Sequence, residues 1–499
     1  MAALLVGQAP SASGEPFVPA QSARAFGDSV GVNVRLTHID TPAYQDFGPI
    51  AYRLRELGVR YVNDSLCPTC EYQVQRLQQL AALGIRANLA VGWLSGGPAS
   101  IAAGLEAVRT RLRNSIASFS TINEPDISGD PDWIAHTRDF QMELHRQIKA
   151  DPFLSQFPLI GPSLVIRESR AALGDLSPYL DRGNLHPYPG GTPPLRNLPD
   201  EQQLMAAVSG SKPLQITEVG YHNDLASADP HRPASEQATA IYMPRIALEA
   251  FRFGIERTYI YTFADLFSPA QAAQHGISAS ENSFGLLRWD LSPKPSFYAL
   301  RNVLRAVNGD SAPVANPGGM RLAVEGAPPD LRQLLLRSAD GSYALVLWRD
   351  ISVWDWTAVR DLAPAPDRVE VTMGEPVTLA RRFDPVSSDT ETRRWTDPQR
   401  IPLDLTGTPI VLRLRPAIAG SGPGRRGLHT GGRRRGCAST LVAAGPSQPR
   451  RRKARPRCCR TAKHRQARKE RRRRSERAGG RRTKASWTGR CVSAGRPRR

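Results

Sequence analysis

The chain has 499 residues, 40% hydrophobic and 7% aromatic, too long for one ordinary core and rich enough in apolar side chains for two or three folded domains. No uninterrupted apolar run approaches the ~18 residues of a membrane span, so the sequence offers no transmembrane helix. The net charge of +21 is concentrated in one place: 28 Lys and Arg and two Glu lie after residue 420, leaving 39 basic against 44 acidic residues before it.

Residues 1–25 read as a disordered lead-in or a clipped signal. Ala2 to Val6 is a brief apolar patch without a basic leading segment, and a polar, Pro/Ser/Ala-rich stretch follows to about Ala25. From Asp28 short strands and amphipathic helices alternate. Residues 31–36 form a first strand. Ile50, Leu54 and Leu57 stand at helical spacing, closed by Gly58. Residues 59–64 are a second strand, followed by a helix with Val74, Leu77 and Leu80 on one face. Residues 85–93 alternate as a third strand, 99–113 are helical, and a fourth strand leads to Glu124.

The rhythm continues with a helix stripe at Trp133, Phe140, Leu144 and Ile148, a fifth strand at 158–165 and a helix at 171–180. A sixth strand at 183–188, a helix at 201–208 and a seventh strand ending at Glu218 come next. A long helix at 235–253, kinked by Pro244, an eighth strand at 257–263 and a last helix at 295–307 complete the series. Eight strand–helix units over 26–309 predict an α/β fold, a (β/α)8 TIM barrel. A doubly wound open sheet is the alternative, but Arg35-Leu36-Thr37-His38 is no glycine-rich phosphate turn.

After Gly309 the period changes to two. Strands at 320–325, 332–337, 343–348, 369–372, 401–405 and 410–414 predict a small C-terminal β-sandwich over 310–416, a packing support for the barrel; Trp354 and Trp356 are its candidate exposed aromatics for a sugar-binding role. Residues 417–499 hold Arg433-Arg434-Arg435 and Arg471 to Arg474, with few aliphatics and no apolar period, and are expected to be a disordered Arg-rich tail. A passive or frame-shifted extension, an anchor to an anionic polymer and a nucleic-acid contact all fit such a composition. Against nucleic acid, Trp487 is the lone aromatic there and no nucleic-acid module is recognisable.

Four of six cysteines lie in that tail. The other two, Cys67-Pro68-Thr69-Cys70, have no second pair at zinc spacing and no thioredoxin-like context, which leaves a local disulfide or two free thiols.

Two carboxylates stand out. Thr121-Ile122-Asn123-Glu124-Pro125-Asp126 ends the fourth strand, because proline cannot donate to a ladder, and Leu214-Gln215-Ile216-Thr217-Glu218-Val219-Gly220 ends the seventh. In a (β/α)8 barrel both glutamates reach the C-terminal face, where active sites are built. One acid/base and one nucleophilic carboxylate are what glycoside cleavage needs. No cofactor is required for that chemistry, and no metal constellation is evident.

Asn123-Glu124-Pro125, His186-Pro187-Tyr188 and Glu218, together with Phe284-Gly285-Leu286-Leu287 and Ser292-Pro293-Lys294-Pro295, resemble glycoside hydrolase clan A, most of all its family 39-like and cellulase-type branches, over about residues 28–310. The resemblance implies a retaining double displacement on an O-glycosidic, β-linked bond of a glycoside, oligosaccharide or polysaccharide. Glu124 would be the acid/base and Glu218 the nucleophile. Asn123 would hold the sugar 2-hydroxyl, Tyr188 would donate to Glu218, and His186 would line the pocket. Secretion is implied in the same way.

Trp93 at the tip of strand three is a sugar-stacking or core residue, His38 and Tyr261 are further candidates for the pocket wall, and Phe263 and Asp265 are weaker ones. The loop 265–283 is expected to roof the cleft. One position departs from the family pattern: Asn63 stands where such barrels place an arginine that braces the nucleophile, and Arg35 is a candidate substitute. A non-catalytic carbohydrate or cell-surface binding protein on a decayed barrel is the alternative.

Overall fold

The computed structural model describes residues 14–228 and 231–417. The early apolar patch and the Arg-rich tail lie outside them. The barrel strands are β1 (Val30–Asn33), β2 (Tyr61–Ser65), β3 (Arg86–Ala90), β4 (Ile116–Ser120), β5 (Leu159–Ile160), β6 (Gly183–Leu185), β7 (Leu214–Val219) and β8 (Arg257–Ile260). They form one parallel sheet in the order β5-β4-β3-β2-β1-β8-β7-β6. A parallel bridge between Ile160 and Arg182, with Gly161 N donating to Arg182 O at 2.8 Å, joins the two ends into a TIM barrel.

The helices follow from spacing and caps. Phe47–Leu57 (α1) buries Ile50, Leu54 and Leu57 and stops at Gly58, whose φ of 87° suits a left-handed cap. Glu71–Ala82 (α2), Gly97–Arg111 (α3), Trp133–Ala150 (α4), Ser169–Leu173 (α5), Leu198–Ser209 (α6), Glu236–Arg252 (α7) and Pro295–Ala306 (α8) complete the ring. The fifth unit is shorter than its sequence predicts. Pro158 and Pro162 bracket β5 and leave two ladder residues, while Gly174 at φ 71° ends α5, with only a single turn at Ser177–Tyr179 beyond it. The helix expected to kink at Pro244 runs through that residue as one element.

Inside the barrel the strands present an amide and hydroxyl ladder. Asn63 Nδ2 donates to Asn33 Oδ1 (2.5 Å), Asn88 Nδ2 to Asn63 Oδ1 (2.6 Å), and Ser118 Oγ to Asn88 Oδ1 (2.7 Å). Asn33 Nδ2 reaches Thr217 O (2.9 Å), linking the ladder to β7. These four side chains, Asn33, Asn63, Asn88 and Ser118, all find partners, so the ladder ties their four strands together under the C-terminal face.

Beyond the barrel lie β9 (Gly319–Glu325), β10 (Leu331–Arg337), β11 (Tyr343–Arg349), β12 (Asp367–Met373), β13 (Val377–Phe383), β14 (Glu391–Thr396), β15 (Arg400–Leu405) and β16 (Ile410–Pro416). Two sheets form, one holding β9, β12 and β15, the other β14, β13, β16, β11 and β10 in that order. The Arg-containing β13, half-buried, and the Arg-rich, mostly exposed β14 do not show the alternation that marks the other strands, and neither is expected from the sequence.

The lead-in expected to be disordered as far as residue 25 does not behave so in its described part. Phe17–Pro19 pairs antiparallel with β9 and Gln21–Ser22 parallel with β10, so the chain joins both sheets before it enters the barrel. Val18 packs on the sandwich core, which is the burial that holds this polar segment down.

A second apolar layer joins the six-stranded sheet to the barrel, with Leu334, Val346, Trp348 and Val411 in the same cluster as the barrel helices. Helix α7 is buried on nearly every side because it lies between them. Its Arg245 donates to Asp350 (2.8 Å) and Ile351 O (2.9 Å), and Glu249 accepts from Trp348 Nε1 (3.0 Å). Trp354, named above as a candidate exposed aromatic, is buried and donates to Pro233 O (2.9 Å); Trp356 remains exposed.

Candidate active site

Glu124 and Glu218 open into one cavity of about 490 Å3 at the C-terminal ends of the strands, a volume typical of small-ligand sites. One carboxylate oxygen of each and one ring nitrogen of His186 all lie within 4.8 Å of one another. The two glutamates arrive differently. Glu218 belongs to β7 itself. Glu124 stands four residues past the end of β4, in the left-handed region (φ 46°, ψ 53°), where it opens a single turn at Pro125–Ile127. That conformation costs a non-glycine residue about 1–2 kcal/mol. Ser163 Oγ, accepting from Glu124 N at 3.1 Å, helps hold it.

His186 ties the pair together. Its side chain is 1% exposed; Nδ1 lies 2.7 Å from Glu124 Oε1 and 3.9 Å from Glu218 Oε2. Nε2 lies 2.7 Å from Thr217 Oγ1, and that hydroxyl donates its own proton to Asn184 Oδ1 (2.8 Å). Thr217 therefore accepts from Nε2–H, while Nδ1 and the Glu124 carboxyl share a proton, and with that proton on the ring both ring nitrogens are donors. This is the bonding pattern of an imidazolium. Burial works against that charge, but the negative charges of Glu218 and Glu124 outweigh it and raise the His186 pKa above its ordinary value.

Glu218 accepts from Tyr188 OH at 2.8 Å. Burial pushes its carboxyl above the usual range; the His186 charge pulls it back, the Glu124 charge raises it, and Tyr188 and Arg35 lower it. Burial, with Glu218 beside it, keeps the Tyr188 hydroxyl protonated, so it stays a donor. Tyr188 stacks on His231 with ring centroids 5.0 Å apart and meets Phe284 (5.8 Å) and Tyr261 (6.1 Å) edge-on.

Asn63 stands beneath this wall as part of the amide ladder and brings no charge to Glu218. Arg35, just past β1, does. It bonds Tyr261 OH and Glu281 (2.9 Å), and its guanidinium, opposed by burial but favoured by Tyr261, Glu281, Tyr44 and Glu218, is held above the ordinary arginine value. The cations beside Glu218 are thus His186 and Arg35.

Asn123 and His38 also line the cavity, as does Tyr261. Asn123 Oδ1 accepts from Ser163 Oγ at 3.4 Å. Burial and the Arg35 charge lower the His38 pKa, which favours its neutral form. Trp93 does not line this cavity; it stands half-exposed on the loop after β3. Phe263 is core, and Asp265 pairs with Lys294 (2.9 Å) and accepts from Gly285 N (2.7 Å), so both brace the barrel wall.

Residues that sequence reading did not single out are Thr217, Ser163, Asn184, Asp64 and Glu281. Asp64 accepts from Leu36 N, Ser65 N and Gln73 Nε2, and burial pushes its carboxyl up to about 7. Its place in Asn63-Asp64-Ser65 at a strand end was a usable signal. Glu281 comes from the loop expected to roof the cleft and contributes to the cavity wall. Cys67 and Cys70 form a disulfide just past β2, Cα atoms 5.3 Å apart.

Glu124, His186 and Glu218 are close enough to hold a divalent cation. A cation would have to displace the bond from Nδ1 to Glu124, because Nε2 is committed to Thr217. As they stand, the three groups suit proton transfer and charge stabilisation between two carboxylates.

No protein-family model matches the chain, and no curated protein sequence does. Its fold is that of glycoside hydrolases of known structure. A family 39 glycoside hydrolase from the gut symbiont Bacteroides cellulosilyticus WH2 superposes with a TM-score of 0.51 at 17% identity, covering 80% of this chain and 83% of that one. A glucosidase from Croceicoccus marinus superposes with a TM-score of 0.53 at 14% identity, covering 80% and 97%.

Proposed function

We propose that the protein is a retaining glycoside hydrolase acting on a β-linked O-glycoside. The observation that carries this reading is the meeting of Glu124 and Glu218 in one cleft with side-chain oxygens within 4.8 Å. Retaining enzymes keep their two carboxyls about 5–5.5 Å apart, and inverting ones about 6.5–9.5 Å, to leave room for water.

Glu218, ionised, attacks the anomeric carbon, while Glu124 protonates the departing oxygen. His186 occupies Glu124 Oε1 and leaves Oε2 free to carry that proton. The glycosyl ester removes the Glu218 charge, Glu124 then works as a base on water, and the second displacement restores the starting configuration. Asn123 holds the sugar 2-hydroxyl beside the nucleophile. Tyr188 fixes which Glu218 oxygen faces the sugar. The buried imidazolium and Arg35 supply the positive charge that a carboxylate in so enclosed a place needs, in the role for which Asn63 is unsuited.

A panel of aryl glycosides, with glucosides as the first arm and xylosides, galactosides and uronides beside them, tests the proposal. Wild-type protein is expected to release aryl alcohol from at least one, and Glu218→Ala to lose at least about 10³-fold. Equal rates for the two proteins would sink it and leave a carbohydrate-binding barrel in its place.

A further inference from the structure

Trp93 is 51% exposed, and single exposed hydrophobics need no explanation in themselves. What sets Trp93 apart is how firmly it is displayed. Its N–H donates to Ser100 Oγ (3.1 Å), and that hydroxyl lies 3.2 Å from Trp93 O and 2.8 Å from Gly97 O. The indole lies against Gly96, where a Cβ would come 2.5 Å from Nε1 and 2.6 Å from Cε2. Gly96 has φ −90°, which any residue adopts, so it is the indole together with the Ser100 Cβ at 2.6 Å, and not the backbone, that demands glycine there. One side of the indole is seated on main chain while the rest faces solvent.

Beside it, Leu94, Pro98, Ile101 and Phe140 line a second, mainly apolar cavity of about 590 Å3. Ser128 and the charged side chains Asp130, Asp139 and Glu143 also line it; Ser128 follows Ile127, which is also 51% exposed and lies on the turn that Glu124 opens. In the barrel β3 adjoins β4 and stands opposite β7. The seated indole is therefore on the Glu124 side of the cleft, away from Glu218.

We infer that Trp93, on the loop after β3, is the leaving-group subsite and binds the C–H-rich face of a second sugar ring, so that the substrate is a glycan chain and not a simple monoglycoside. This rests on the retaining-glycosidase reading. In that mechanism the nucleophile and the leaving group lie on opposite faces of the anomeric carbon. With Glu218 on β7, the leaving group heads toward Glu124, which follows β4, and β3 with its Trp93 loop is one of the two strands that flank β4. A rigid aromatic plane in that path binds an apolar ring face at little entropic cost.

The test compares full-length wild type and Trp93→Ala on three donors of the sugar found by the aryl-glycoside panel: a glycosyl fluoride, a p-nitrophenyl glycoside and the β-linked trisaccharide. On the trisaccharide, Trp93→Ala is expected to lose about ten-fold in kcat/KM, mainly through KM, with fluoride hydrolysis unchanged within about two-fold. Trp93→Phe should recover part of the loss, and Gly96→Ala, which pushes the ring off its seat, should reproduce it in direction. An equal loss on all three donors, as a purely structural role would give, overturns the inference, and so does no loss on the trisaccharide. Failure of the underlying reading looks different: the wild-type protein is then inactive on all three donors, and the subsite falls with it.

Discussion

The two walls of the cleft are built on opposite plans. On the β7 wall Glu218 lies within a strand, its carboxylate held by Tyr188, which is itself wedged among His231, Phe284 and Tyr261. On the β4 wall Glu124 stands past the strand end, on a strained left-handed residue held by Ser163 and His186. In the proposed mechanism the nucleophile on the β7 wall must meet one carbon from one direction, and a packed aromatic wall gives it a fixed line of approach. An acid that later becomes a base must exchange protons with two partners, and a turn with a free carboxylate oxygen suits that. His186 spans the walls, so the charge on each carboxylate is felt by the other.

The largest way to break this contrast is to remove each carboxylate. Glu218→Ala should cost at least about 10³-fold on every donor, because in the proposed mechanism every donor needs Glu218 as its nucleophile. Glu124→Ala should cost about 10²–10⁴-fold on the trisaccharide and far less on aryl donors whose leaving groups depart without a proton. Steady-state kcat values on the two donor types check the asymmetry, and equal losses on both would erase the distinction between the walls.

Tyr188→Phe sharpens the comparison at the next level. In the proposed mechanism Glu218 must be ionised to attack, and burial holds its pKa above the ordinary glutamate value, so activity should fall as the pH drops through a point above about 4.3. Tyr188 lowers that pKa, so its loss should move the acidic limb of the pH–rate profile to higher pH and reduce kcat about ten-fold. Arg35→Ala should move the same limb in the same direction by less, since Arg35 acts on Glu218 without touching it. A limb that stays in place in both variants would remove Glu218 as the group that sets it. The smallest effect expected is from deleting residues 418–499, with activity within about two-fold of wild type, because the described residues that line the cleft come from the barrel and its loops, between Asn33 and Phe284.

Counting strands placed Glu124 and Glu218 at the C-terminal ends of the fourth and seventh, on the same face of a barrel; the strand expected to run to Glu124 stops at Ser120, so the phasing that fixes Glu218 within its strand does not fix Glu124. Tyr188 and His186 were legible only through resemblance to a family. What stayed hidden was tertiary. The bond from Arg35 to Tyr261 spans 226 positions, and that from His186 to Glu124 spans 62, so neither leaves a local pattern. The left-handed turn at Glu124 has no glycine to announce it. Residues 17–22 carry no apolar period and are strands only because two sheet edges receive them. Trp354 reads as a surface aromatic until α7 and the sandwich close over it.

The central claim is that two carboxylates this close carry out two displacements and not one. Proton NMR of the first sugar released from an aryl β-glycoside, recorded before mutarotation equilibrates the anomers, tests it most directly. The account predicts that the β-anomer appears first and the α-anomer grows in only with time. An α-anomer as the first product would mean a single displacement by water, and would contradict the role assigned to Glu218.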